Sequence, residues 1–273
     1  MNKKLKIGIV GCGAIGQRMS KMISKKLYNS CIISALYDIN HDRALKLEKQ
    51  IAGRSLVQGS VKNVIKKSDL IIEAVNAPDT AKIIELILTS KKSVLAMSVG
   101  KTLRKANQLF KLALKNNCFL LLPSGAIAGI DAIKAAGLST IDKITLTTRK
   151  PVKGLPQNKY LTSRNIDLKK IKKETTVFQG SVFDAVKHFP QNINVAATLA
   201  LASKKARLLV VNIVTSPHFT SNSHEICVEG SFGKILTRTE NVPCPDNPKT
   251  SYLAVLSGMQ TLKQFCEKIF IGT

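Results

Sequence analysis

The sequence predicts an α/β protein in which a doubly wound parallel sheet is followed by a second, α+β unit. Three observations predict it. A short β-branched run leads directly into spaced glycines and an amphipathic helix; apolar runs then alternate with helical periodicity as far as Leu122; beyond that point the alternation weakens. The expected boundaries are 1–124 plus a C-terminal helix within 246–273 for the first unit, and 125–245 for the second. A chain of 273 residues suits two unequal domains, and 44% apolar residues is ample material for their cores.

The first run, Lys6 to Val10, ends at Gly11-Cys12-Gly13-Ala14-Ile15-Gly16, and Ile15, Met19, Met22 and Ile23 then recur at helical spacing. In a strand-turn-helix context this is a dinucleotide fingerprint of the Rossmann type. Gly11 makes the tight turn, Gly13 lets the backbone approach a pyrophosphate, and Gly16 permits close helix-to-strand packing. The opening residues of the helix, Ala14 and Ile15 among them, offer free N–H groups to phosphate oxygens. A second strand, Cys31 to Tyr37, ends at Asp38, where a carboxylate would accept hydrogen bonds from the adenosine ribose and repel a 2′-phosphate. NAD is therefore the expected cofactor. NADP remains open because Asn40 and Arg43 follow closely.

The alternation continues with strands at Asp69 to Val75, Ser93 to Val99 and Cys118 to Leu122, and helices at Pro78 to Leu88 and Leu103 to Lys115. These strands are near-continuous apolar runs, as in a parallel sheet buried on both faces. Asn76 to Pro78, Ser98 to Gly100 and Ser124 to Ala126 are the turns expected beside the nicotinamide half of a bound dinucleotide.

In the second half, Ile141 to Thr148 and Arg207 to Thr215 read as strands, His224 to Thr239 as a long strand or hairpin, and Asn194 to Lys204 as an Ala/Leu-rich helix. The polar, basic stretch Lys153 to Glu174 reads as a flexible excursion. From Asn247 the tail predicts a helix with an Asn-Pro start and a stripe of Leu253, Leu256, Met259, Leu262 and Phe265, returning to pack on the first unit.

Composition narrows the setting. The six cysteines are scattered, without metal spacing or a C-x-x-C pair, so no metal is expected and a reducing, cytoplasmic location is. Neither a signal-peptide core nor an apolar stretch of membrane-spanning length is found. A net charge of +25 suggests nucleic acid at first sight. Its lysines are spread evenly from Lys3 to Lys268 without interleaved aromatics, which favours solvated faces, with attraction of anionic ligands as the other reading. No nucleic-acid or membrane partner is expected.

Hydride transfer to a dinucleotide is accompanied by proton transfers, and histidine is the side chain that moves protons near neutrality. Of four histidines, His41 lies on the adenosine side and His188 at a helix end, leaving His218 and His224. Alternation puts His224, Ile226 and Val228 on one strand face and Ser223, Glu225 and Cys227 on the other. Periodicity alone does not choose between the two histidines.

Five further segments extend the comparison: Ser124 to Gly129, Thr147 to Pro151, Phe189 to Ala197, Asn222 to Ile226 and Pro245 to Tyr252. With the glycine motif, they make the chain resemble the L-aspartate dehydrogenase family along essentially its whole length. Two departures are Val152, where a second proline is common, and Lys101-Thr102 after Gly100, where a small apolar pair is common. The resemblance implies oxidative deamination of L-aspartate to iminoaspartate, then oxaloacetate and ammonia, with supply of iminoaspartate for NAD biosynthesis as one use of the reaction. It also implies His224 as the active-site histidine, and Ala128 and Asn194 as NAD contacts. Arg149 and Lys150 are candidate anchors for the substrate carboxylates, or else solvated strand-end charges. A homodimer or higher oligomer is the expectation for such folds. The rival readings are a related dehydrogenase of another small amino acid or of a dihydrodipicolinate-like substrate, and a non-catalytic NAD-binding regulator.

Overall fold

The structure is a computed structural model that describes residues 4–51, 55–75, 77–155, 157–189, 193–245 and 247–272, with the side chains of 247–249 left aside. Expectations placed on Asn76, on Pro190 to Asn192 and on Asp246 lie outside these residues. The chain divides into two compact units, Met1–Pro123 with Val255–Phe270, and Ser124–Ala254 with Ile271–Thr273.

The first unit runs β1 (Leu5–Val10), α1 (Ala14–Lys26), β2 (Cys31–Tyr37), α2 (His41–Ile51), α3 (Val61–Lys67), β3 (Leu70–Glu73), α4 (Thr80–Thr89), β4 (Ser93–Ala96), α5 (Ala106–Lys115) and β5 (Leu120–Leu121). All strand pairs are parallel, in the order β2-β1-β3-β4-β5, the doubly wound sheet that the apolar runs predicted. Ile71, Val94 and Ala96 from the strands, with Ile84, Ile87, Leu88 and Leu109 from the helices, share one buried cluster. Strand β4 stops at Ala96, short of the expected Val99, because the chain turns into short 3₁₀ segments at Val99–Lys101 and Leu103–Lys105. Helix α3 was not anticipated. Ser60 marks its start, accepting a hydrogen bond from the Asn63 amide at 3.2 Å.

The second unit runs α6 (Ile130–Ala136), β6 (Ile141–Pro151), α7 (Lys159–Ser163), β7 (Thr175–Ser181), α8 (Val182–His188), α9 (Asn194–Ser203), β8 (Leu209–Ser216), β9 (Asn222–Gly230), β10 (Gly233–Asn241), β11 (Pro243–Cys244) and β12 (Asn247–Ser251). Its main sheet has the order β10-β9-β6-β8-β7, with β6 and β8 parallel and the other pairs antiparallel. Helix α10 (Tyr252–Glu267) follows, and from Val255 it belongs to the first unit. There Gly258 lies against Met97 and Met19, and Phe265 meets Phe119 edge-on at 5.2 Å.

Two sequence expectations are corrected. The stretch from Lys153 to Glu174 is not a featureless excursion: its described residues form α7 and a short turn at Leu168–Lys170. Asn158 and Asp167 cap these by accepting from the Leu161 and Lys169 amides at 3.0 and 2.9 Å. Leu155, Leu161 and Leu168 are buried, and the Tyr160 ring packs on Phe178, His188 and Phe189, so a few apolar residues among many charges anchor the segment. In the tail, Asn247–Ser251 is a strand paired with β11, and the helix begins only at Tyr252. Pairing satisfies this backbone before a helix can start there.

Candidate cofactor and catalytic sites

In the first unit the site is made mainly of backbone. Gly11 has φ +98°, and a side chain there would come within 2.5 Å of the Ala74 carbonyl oxygen. A Cβ at Gly16 would collide with the Gly11 carbonyl oxygen, so this glycine is a packing requirement. Gly13 differs: a Cβ there would meet nothing within 4 Å. It borders open space at the start of α1, whose first amides have no side-chain cap. Ala14 and Ile15 open that helix. Uncapped helix N–H groups beside an open glycine cradle fit a pyrophosphate in charge and room.

Asp38 follows β2 as expected and is also an organiser of the loop. One carboxylate oxygen accepts from the Cys12 amide at 2.7 Å and the other from the Asn40 amide at 2.8 Å. A carboxylate holds about four lone-pair sites, so capacity remains for ribose hydroxyls. Arg43 is exposed on the first turn of α2.

Sequence reasoning passed over Glu73, at the end of β3. It is wholly buried, and its carboxylate accepts from the Val75 amide at 2.8 Å and the Ser98 amide at 3.2 Å, tying together the turns that leave β3 and β4. Burial pushes its carboxyl up to about 7, against the opposing pull of these hydrogen bonds. The signal was visible as a lone acid closing the apolar run Leu70-Ile71-Ile72.

In the second unit the chemistry lies on side chains. Along β6 the buried positions are Ile141, Ile144, Leu146, Thr148 and Lys150; along β9 they are Ser223, His224, Ile226 and Val228, of which the last three share one face. Thr148 pairs directly with His224 across the antiparallel ladder, and Thr148 Oγ1 lies 3.0 Å from His224 Nδ1. Burial, and then the charge of Lys150, pull the imidazole down to about 3, so it is neutral at physiological pH. Thr148 was missed because only the cross-strand register brings it to the histidine. His218, by contrast, is exposed in the turn between β8 and β9, His41 is exposed at the start of α2, and the His188 ring packs on Tyr160.

Alternation separates the two expected anchors. Arg149 is on the opposite face from His224, engaged by Glu225 at 3.3 Å and Glu174 at 3.6 Å. Lys150 is on the same face as the histidine, 9% exposed, and burial pulls its amine down to about 8.

The turn carrying Ala128 is braced from β10. Thr237 Oγ1 donates to the Ala128 carbonyl at 3.3 Å, and Thr239 Oγ1 and Asn241 Nδ2 donate to the Ala126 carbonyl at 2.8 and 3.1 Å. Ala126 and Ile127 are buried while Ala128 is exposed. Asn194 is exposed at the first position of α9. Among the described residues no His/Cys/Asp/Glu cluster of metal-binding size is found, and no helix is long and apolar enough to cross a membrane.

Comparison with known proteins covers both units. Residues 11–123 match the family model described as homoserine dehydrogenase, NAD binding domain, and residues 131–265 match aspartate dehydrogenase, C-terminal. An L-aspartate dehydrogenase of Methanosarcina barkeri is 42% identical, covering 98% of this chain and all of its own. One from Methanococcus maripaludis is likewise 42% identical with the same coverage. Among solved structures, the aspartate dehydrogenase of Thermotoga maritima superposes with a TM-score of 0.71 at 22% identity, covering 99% of this chain and 100% of that one. A hyperthermophilic archaeal homoserine dehydrogenase in complex with NADPH gives 0.60 at 12% identity, with the same coverage. The last two likenesses speak to the fold.

Proposed function

The chain belongs to the L-aspartate dehydrogenase family, and on that premise we propose how its residues divide the oxidative deamination of L-aspartate to iminoaspartate, and thence to oxaloacetate and ammonia. It is an NAD(P)-dependent amino-acid dehydrogenase, and the bound dinucleotide supplies the hydride acceptor. The glycine loop and the first amides of α1, through Gly11, Gly13, Ala14, Ile15 and Gly16, hold the pyrophosphate. Asp38 takes the adenosine ribose, which favours NAD. Ala128 and Asn194 are assigned to the cofactor by the family likeness, and the exposure of both suits that role.

The observation that carries the catalytic assignment is the buried His224–Thr148 pair, inside the segment matched to the aspartate dehydrogenase C-terminal model. Water adding to an iminium carbon becomes strongly acidic as the C–O bond forms, so even a weak base can accept its proton. A neutral imidazole held by Thr148 is suited to that step. Of the two cations considered for the substrate carboxylates, Lys150 shares the face of His224, whereas Arg149 is occupied by acids on the other.

The test is reduction of NAD by the purified protein with L-aspartate, with NADP and a panel of other small amino acids run in parallel. Aspartate-dependent NADH formation is the expected result. Turnover confined to another amino acid overturns the substrate, and tight NAD binding without turnover on any of them favours a regulatory role.

A further inference from the structure

Lys150 occupies a strand position where the pattern before it, Ile144, Leu146 and Thr148, is buried. Lysines are almost never buried so deep unless they are paired. Its backbone is fixed on the β8 side, where it pairs with Thr215, whose Oγ1 donates to the Lys150 carbonyl at 2.7 Å, and it follows Thr148 by one full strand repeat. Because Thr148 is directly opposite His224, Lys150 is the diagonal neighbour of the histidine on the same face. Such neighbours have Cα atoms roughly 7–8 Å apart, within reach of a long side chain. Arg149 and Glu225 are on the opposite face with Glu174, Arg238 and Glu240 lie on β10 across from Glu225 and Ser223, and β8 carries no ionisable side chain.

We propose that Lys150 is the catalytic base that takes the proton from the α-ammonium of aspartate, preparing the amine for loss of hydride. This inference rests on the aspartate reading given above. The step balances. The N–H bond of the substrate ammonium breaks, the pair left on nitrogen makes the neutral amine, and the Lys150 amine gains the proton as ammonium. Hydride then leaves the α-carbon and the nitrogen lone pair forms the C=N bond of the iminium. The new charge on Lys150 lies beside a dicarboxylate, which stabilises it.

Proton affinities separate the two candidate bases. An alkylammonium titrates at about 10. Passing its proton to a group at about 8, where burial places Lys150, is uphill by roughly a hundredfold; His224, which burial above all pulls well below the usual imidazole range, is a far weaker acceptor. The histidine is thereby left for the water-attack step, which a weak base can serve. Two neighbouring groups with separated affinities divide two proton transfers between them.

Lys150→Arg and Lys150→Met test the assignment. Arginine keeps a cation for the carboxylates but does not give up its proton near neutrality. The arginine variant is expected to keep the aspartate KM within a few-fold and lose at least a hundredfold in kcat. In Lys150→Met, small primary amines added to the assay should restore turnover in proportion to their basicity. Without cofactor or substrate, the ¹³Cε signal of Lys150 should titrate near 8, below the model-peptide lysine value of about 10.4. Wild-type kcat in Lys150→Arg, a Lys150→Met variant that raises only the aspartate KM, or titration with the bulk lysines overturns the proposal. Should Lys150→Arg fail to fold, the methionine variant and the titration decide it. Absence of aspartate turnover in the wild type instead overturns the substrate reading.

Discussion

The two units solve their polar problem in opposite ways. The nucleotide unit exposes backbone: the open edge of Gly13, the uncapped amides of α1, and a loop held by Asp38. Among the described residues its deeply buried acid, Glu73, is turned inward onto the Val75 and Ser98 amides. The second unit instead buries its candidate side chains, Thr148, Lys150 and His224, on one face of a mixed sheet. Backbone donors bind a ligand whose charge is permanent. Buried side chains have displaced proton affinities, as proton transfer requires.

The sharpest way to break this comparison is to remove the histidine. His224→Ala is expected to lower turnover by roughly 10²–10⁴-fold while NADH binding, measured by fluorescence titration, stays within twofold. His218→Ala is the matched control and should retain near-normal turnover. Equal losses in both variants would dissolve the distinction between the buried and the exposed histidine.

Stability against pH should carry opposite signs in the two units. His224 lies at about 3 in the folded state against 6.5 in an exposed chain, so the unfolded chain binds more protons between those values. Its contribution rises with pH across that window, by about 5 kcal/mol at 1.36 kcal/mol per pH unit. Glu73 lies at about 7 against 4.5, so the folded state binds more protons there and its contribution falls as pH rises, by about 3 kcal/mol. The two slopes nearly cancel between 4.5 and 6.5, so urea unfolding from pH 3 to 8 reads each by its difference from the wild type. His224→Gln should remove the rise and Glu73→Gln the fall; a variant whose difference from the wild type does not change with pH contradicts the assignment.

Within the glycine loop the comparison can be sharpened by one methyl group at a time. Gly16→Ala has no room against the Gly11 carbonyl and should cost about 3 kcal/mol, seen as a lowered Tm. Gly13→Ala faces open space, so its Tm should hardly move while NAD affinity falls by about tenfold, about 1.4 kcal/mol. A Tm loss at Gly13, or none at Gly16, would reverse their roles.

Much of this was legible in the residues. The glycine spacing, the strand-end position of Asp38 and the apolar runs marked out a dinucleotide-binding sheet, because a backbone that must approach a phosphate admits few residue types. The same periodicity put His224, Ile226 and Val228 on one face of β9. Less was legible in the stretch from Lys153 to Glu174, where a handful of leucines and Tyr160 outweigh many charges, and in the tail, where pairing with β11 takes residues whose local preference was helical.

Local sequence thus determined the nucleotide loop and the strand faces, since each depends on backbone geometry or on a period of two within one segment; the choice of His224 over His218 came from the family resemblance. The tertiary structure decided what lies across from that histidine. Residues distant in sequence, Thr148 and Lys150 against His224, meet only through the ladder between β6 and β9. That register places Lys150 beside the histidine and turns Arg149, its immediate neighbour, to the other face. Burial then sets proton affinities that no reading of residue types supplies, because it depends on everything packed around the group.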